Sequence, residues 1–377
     1  MVFIKQLTDD KYKEKGMLKK RNEYIDFLRG MACLLVVYTH STNIFSYIGG
    51  NKFDSIKFLL SPFIYINQCG VPIFFLISGF LSEGTIERTG NYGNMMKKKV
   101  KSLLIPYFIW NLFYMLMEVV GYYIMPSAFD DISHESMIML LIKMVGIPFI
   151  KGPIYEPLWF INSLFMFFCF LPVINFVVKK LQGFYIIIID LLLMSIYVPL
   201  LYSDGYFINR SIPFFILGLY LAENKNKIFR IFNNIYKHRY ILLLIFGFAT
   251  YIIAYVKNIP DIHSVYRIGM TCHLITMTII MGLCISIFLI IRDISKIQII
   301  RQILNCLSEY SFMIYVMHGK ILSILQILFS RLLKQNGIIV ILEYLLLPII
   351  VIIINIIIAF FIKRHLNKVY AVIVGKR

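Results

Sequence analysis

The chain has 377 residues, is 59% hydrophobic and carries 38 Lys and Arg against 20 Asp and Glu, a formal charge of +18. Soluble domains run at roughly 45–50% apolar, and surface-to-volume scaling leaves a chain of this length too little interior for so many Ile, Leu, Phe and Tyr side chains. A soluble nucleic-acid binder, a disordered chain and a secreted disulfide scaffold are excluded; the composition specifies an integral membrane protein whose partner is the lipid bilayer, with no nucleic acid.

Residues 1–23 hold seven basic residues and lack an apolar region followed by a small-residue cleavage site, so they read as a cytoplasmic basic tail and not as a removable signal. Residues 24–377 read as one polytopic all-α membrane domain. Ten apolar runs are long enough to be considered as crossings, at about 25–48, 61–82, 102–124, 157–178, 183–201, 208–222, 239–256, 265–291, 303–330 and 338–362. With the N-terminus inside, and basic residues at the run ends counted with the adjoining loop, the cytoplasmic side holds 27 basic residues and the outer side nine. That bias predicts an N-in, C-in bundle. The longest outer loop contains an amphipathic stretch, Ser136–Gly146, suited to lying on the surface.

Ionisable residues inside spans are costly, roughly 2.5–3.5 kcal/mol on insertion scales, and so mark candidate sites. The first span, RNEYIDFLRGMACLLVVYTH, holds Asp26, Arg29 and His40. Asp26 and Arg29, three apart, share a helix face and read as an ion pair near the cytoplasmic end. His40 lies eleven residues beyond Arg29, about 16 Å along a helix and close to three whole turns, so the two project from one face. The plainer reading of His40 is a satisfied buried hydrogen-bonding group. The second span ends in Ser78-Gly79, where a neighbouring helix or a ligand can come close. After it come Lys97, Lys98, Lys99 and Lys101, ahead of Pro106. This run is either ordinary cytoplasmic charge or a docking point for a polyanion.

The fourth span opens EPLWFIN, setting Glu156, Trp159 and Asn162 on one helix face, as an interfacial anchor or a grip on sugar. The ninth, LSEYSFMIYVMHGK, places Tyr315 and His318 at nearly the depth of His40 in a helix of the same orientation. Six cysteines (33, 69, 169, 272, 284 and 306) form no CxxC pair, and no metal site is expected.

Taken together these elements resemble the bacterial membrane acyltransferase-3 family. The carriers are Asp26-Phe27-Leu28-Arg29-Gly30 with His40 following, FFLISGFL at 74–81, the basic run before LLIPYF, PLWFIN at 157–162, and the late LSEYSFMIYVMHG. The resemblance implies an O-acyltransferase of the bacterial cytoplasmic membrane. It would move an acyl group, usually acetyl from acetyl-CoA, to a hydroxyl of a cell-surface polysaccharide or lipid-linked saccharide. Acyl-CoA is then a donor substrate, and no permanently bound cofactor is implied. His40 matches the family's essential histidine. Arg29, Lys98, Lys101 and Ser78 fall to the CoA side, and Glu156, Trp159, Asn162, Tyr315 and His318 to the cavity lining. Many members carry RxxR where this chain has Lys98 and Lys101, and lysine lacks the bidentate fork of arginine. The alternative is an exporter of polysaccharide built on the same fold.

Overall fold

Without water in the hydrocarbon layer each backbone N–H and C=O must be paired within its own segment, which leaves helices as the solution for runs this apolar. The computed structural model describes residues 23–47, 54–124, 153, 155–181, 183–195, 206–257, 266–333 and 336–375, and every regular element among them is helical. The basic tail over 1–22 and the amphipathic stretch Ser136–Gly146 lie outside the described residues.

The principal helices are α1 (Glu23–Ser41), α2 (Ser61–Asn67), α3 (Gly70–Ser82), α4 (Tyr92–Lys99), α5 (Ile105–Ile124), α6 (Trp159–Cys169), α7 (Leu171–Lys180), α8 (Gly183–Ser195) and α9 (Tyr206–Glu223). They continue with α10 (Lys225–Tyr236), α11 (Arg239–Lys257), α12 (Tyr266–Ile294), α13 (Gln298–Leu332), α14 (Gly337–His365) and α15 (Asn367–Ile373). Six segments among the described residues are long and apolar enough to cross a membrane: Ser61–Ser82, Tyr92–Met117, Arg239–Lys257, Thr271–Ile294, Gln298–Leu332 and Gly337–His365. The bent pair α6–α7 makes a seventh if it is one span.

The remaining expected crossings are shorter or more polar. In α1, 19 residues include Asp26, Arg29 and His40, and the helix stops at Ser41, short of the expected 48. Its end follows from side chains competing for the backbone: Thr39 Oγ1 donates to Leu35 O at 2.9 Å and Thr42 Oγ1 to Thr39 O at 2.7 Å. The run expected over 183–201 is described as 13 residues, and that over 208–222 contributes a short apolar piece, Ser211–Glu223.

Prolines shape two crossings. The expected run 157–178 bends by 66° at Phe170, because Pro172 at the start of α7 has no N–H to continue the ladder of α6. Between α4 and α5 the backbone widens into a π-helical turn, Val100–Leu104, just ahead of Pro106. Pro106 cannot donate to the Ser102 carbonyl, and a π-turn accommodates that gap.

Packing is set by two close helix pairs. A Cβ on Gly79 of α3 would overlap the Phe215 carbonyl of α9, and one on Gly218 of α9 would overlap the Leu76 carbonyl of α3. Reciprocal glycines let these two backbones touch. In the same way Gly30 of α1 lies against the Leu304 backbone of α13. Helices α1 and α13 run parallel: Ser308 Oγ bonds Asp26 Oδ1 at 3.2 Å, the His40 and His318 rings are neighbours, and Gln326 Nε2 donates to Ser41 O at 3.3 Å.

Charged contacts gather at the Asp26 end of the bundle. Glu83 pairs with Lys225 at 3.8 Å, Glu309 with Lys363 at 2.6 Å, and Asp293 with Arg239 at 2.5 Å and Lys296 at 2.8 Å. The Tyr236 hydroxyl adds a third donor to Asp293, at 2.7 Å. Tyr24 at the start of α1 donates to the Phe288 carbonyl near the end of α12. Residues from the expected segments 83–101, 223–239, 292–302 and 363–377 thus lie at one end of the fold. At the opposite end Ser41 Oγ donates to Tyr344 O at 3.1 Å and Asn67 Nδ2 to the Tyr344 hydroxyl at 2.8 Å.

Candidate active site

His40 occupies the last turn of α1, half-buried, and His318 sits fully buried in the middle of α13. Their ring centroids are 5.0 Å apart with planes tilted by 57°. Two helices that run parallel and are joined by the Asp26–Ser308 contact bring the two imidazoles together, although they lie 278 positions apart in sequence. Nδ1 of His318 lies 2.7 Å from Tyr315 O and 3.0 Å from Ile314 O, while Nε2 meets no hydrogen-bonding partner among the described residues.

Tyrosines hold this part of α13. The Tyr114 hydroxyl donates to Val316 O at 2.7 Å, and the Lys320 N–H donates to the Tyr155 hydroxyl at 3.2 Å. The Tyr114 and Tyr155 rings stack with centroids 3.8 Å apart. Gly319 makes room for Tyr155, since a Cβ there would overlap its hydroxyl. Tyr315 donates its hydroxyl to Pro157 O and so ties α13 to the 3-10 turn Glu156–Leu158. Phe160 meets Tyr315 edge-on at 5.6 Å, and Trp159 and Phe160 both pack on Phe75 of α3. His40, His318 and Tyr315 therefore form one cluster with an aromatic wall.

Other candidate residues are distributed differently. Asp26 is buried and bonded to both Arg29 Nη1 and Ser308 Oγ, each at 3.2 Å, while the Arg29 side chain keeps 33% of its exposure. Ser78 is half-buried on α3, and its carbonyl accepts from Ser82 Oγ at 2.9 Å. Lys98 and Lys101 are exposed, on α4 and the π-turn. Neighbouring Lys99 instead lies over the Phe168 ring at 3.7 Å. The C-terminal segment closes on the π-turn: Trp110 Nε1 donates to Ile373 O at 3.1 Å, and Gly375, at φ +70°, abuts the Ser102 carbonyl. Glu156, Trp159 and Asn162, assigned to one face in sequence, differ in setting: Glu156 is exposed in the turn, Trp159 half-buried and Asn162 buried.

Sequence reasoning passed over two acids. Asp190 interrupts the apolar run of α8 and is buried, with Oδ1 lacking a hydrogen-bonding partner among the described residues. Glu343 is buried in α14 beside Tyr344, whose hydroxyl and carbonyl both take part in the Ser41–Asn67 network. A scan for every acid within an apolar run, applied to the weaker spans too, would have found both. No group of three or more potential metal ligands occurs among the described residues. A narrow apolar cavity of about 50 Å³ opens at the Asp26 end between Tyr24, Leu28, Phe80, Phe232 and Phe288, with Lys225 at its rim.

An imidazole pair in a wall of aromatic side chains has the parts for moving a proton to or from a hydroxyl, because histidine exchanges protons near neutrality. No curated protein and no solved structure matches this chain. A family model for an acyltransferase domain, that of the acyltransferase-3 family, matches residues 22–364, from the start of α1 to the end of α14. That match contains the whole imidazole cluster, and the chain belongs to the acyltransferase-3 family as a membrane acyltransferase.

Proposed function

We propose that the protein is an O-acyltransferase of the bacterial cytoplasmic membrane. It transfers an acyl group, with acetyl the first candidate, from acyl-CoA to a hydroxyl of a cell-surface polysaccharide or lipid-linked saccharide. The observation that carries this reading is the His40–His318 pair, 5.0 Å between centroids, inside an acyltransferase-3 domain. The bundle crosses about ten times with both termini in the cytoplasm, which agrees with the 27-to-nine distribution of basic residues and with the gathering of the charged loops at the Asp26 end.

In this reading the phosphates of CoA meet Arg29, Lys98 and Lys101 at the cytoplasmic mouth, near Ser78, and the pantetheine arm runs inward along α1. Eleven residues of helix, about 16 Å, separate Arg29 from His40. His40 takes the proton of the acceptor hydroxyl as its oxygen bonds to the thioester carbonyl carbon. The carbon–sulfur bond then breaks, and the proton departs on the CoA sulfur. Tyr315 holds the turn that carries Trp159 and Glu156, and with Asn162 these line the approach of the saccharide.

The test is mass spectrometry of the surface polysaccharide from a deletion strain complemented with wild type or with His40→Ala. The proposal expects glycan in normal amount lacking acyl groups in both the deletion and the variant. Loss of the glycan itself from the surface would favour export, and full acylation with His40→Ala would remove His40 from the chemistry.

A further inference from the structure

His318 admits a sharper assignment, one that rests on the acyltransferase reading. Neither the Tyr315 nor the Ile314 carbonyl oxygen carries a hydrogen, so the 2.7 and 3.0 Å contacts to His318 Nδ1 require the proton on that nitrogen. A neutral ring then keeps its lone pair on Nε2, which is buried and has no donor among the described residues. Tyr315 does not supply one, since its hydroxyl is directed to Pro157 O. A buried acceptor left open costs stability, and a fold that keeps one in a catalytic cluster has a use for it.

We infer that His318 is a positioning residue whose Nε2 accepts the N–H of His40. The His40 ring stands in the last turn of α1, half-buried, with its centroid 5.0 Å from that of His318, and in the proposed arrangement it directs one N–H to His318 Nε2. The His318 ring is fully buried, and its Nδ1 is held by the two carbonyls. With one His40 nitrogen occupied, the other presents its lone pair to the acceptor hydroxyl. During transfer the hydroxyl proton passes to that second nitrogen as the oxygen–carbon bond forms. The carbon–sulfur bond breaks, and the same proton leaves on the CoA sulfur. The N–H held by His318 stays in place throughout, and His318 neither gains nor loses a proton. A neutral imidazole orients His40 here without the cost of burying a carboxylate at membrane depth.

The experiment uses the full chain in vesicles of the host's own membrane, which carry the native glycan precursors, with radiolabelled acetyl-CoA as donor. His318→Leu removes the acceptor, whereas His318→Gln places an amide oxygen near the position of Nε2. The inference expects His318→Leu to lower kcat about 100-fold or more at unchanged KM for acetyl-CoA, and His318→Gln to restore kcat to within about tenfold of wild type. Equal losses in the two variants, or a change confined to KM, would overturn it. If His318→Leu fails to accumulate, 15N NMR of histidine-labelled wild type, with the His318 signals identified by their loss in His318→Gln, decides the matter. A proton on Nδ1 supports the assignment and one on Nε2 overturns it. His40→Ala separates the two levels: full turnover in that variant defeats the His40 mechanism, whereas an inactive His40→Ala beside a normal His318→Leu defeats only the role of His318.

Discussion

Replacing Gly79 by alanine sets two effects of opposite sign against each other. Alanine is the better helix former, by about 1 kcal/mol at an interior position. Against that, the added methyl would overlap the Phe215 carbonyl and come within 3.1 Å of the Leu219 nitrogen. Both obstacles are backbone, so no side chain can swing away. Helices α3 and α9 would have to separate by roughly 1 Å, and a gap of that size forfeits up to about half of the dispersion attraction between facing atoms. Overpacking of this kind costs about 1–3 kcal/mol. The backbone obstacle decides the sign, and Gly79→Ala should be destabilising. Gly247 of α11 is the internal control, because a Cβ there meets nothing within 4 Å. Gly247→Ala should leave stability unchanged or raise it by up to about 1 kcal/mol. Thermal unfolding of the purified protein in one detergent, followed by tryptophan fluorescence, measures both. A Gly79→Ala protein melting at or above wild type, or a Gly247→Ala protein melting clearly below it, would refute the reasoning.

Asp26 gives a second test: Asp26→Asn retains an acceptor for Ser308 and should cost less than Asp26→Ala, the loss being confined to the pair with the one-third-exposed Arg29. Asp26→Ala leaves the buried Ser308 hydroxyl without that acceptor and should cost about 1–3 kcal/mol in the same unfolding assay. Substituting Lys98 and Lys101 together by alanine should raise KM for acetyl-CoA about tenfold while leaving kcat near wild type, as expected for charges that bind phosphate and take no part in the chemistry; an unchanged KM in steady-state kinetics would place CoA elsewhere. For orientation, Lys227→Cys and Arg331→Cys put thiols on exposed positions at opposite ends of the bundle. A membrane-impermeant maleimide applied to intact cells should label Arg331→Cys and spare Lys227→Cys until the cells are opened, and the reverse pattern would invert the proposed topology.

Membrane residence was legible in the sequence because it depends on composition, and composition needs no knowledge of contacts. The Asp26-to-Arg29 spacing and the matched height of His40 and His318 along their helices were legible for a related reason: helical rise and turn are local properties, so counting residues gives height and face. Span boundaries were less so. The early end of α1 is decided by Thr39 and Thr42 bonding back to nearby carbonyls, and the 66° bend at Phe170 by how α6 and α7 pack once Pro172 breaks the ladder. The role of Gly79 was open in sequence between admitting a ligand and admitting a helix; the Phe215 backbone lying against it decides for the helix.

The sequence by itself determined that this protein lives in a membrane, that its helices carry a few costly polar residues, and at what height each of those stands. Only the tertiary structure decided which of them meet. The contact of His40 with His318 depends on α1 and α13 running parallel and touching at Gly30, and the open Nε2 of His318 depends on two carbonyls claiming Nδ1. Both are relations between atoms brought together by packing, and no periodicity along one helix encodes which face of another it will find.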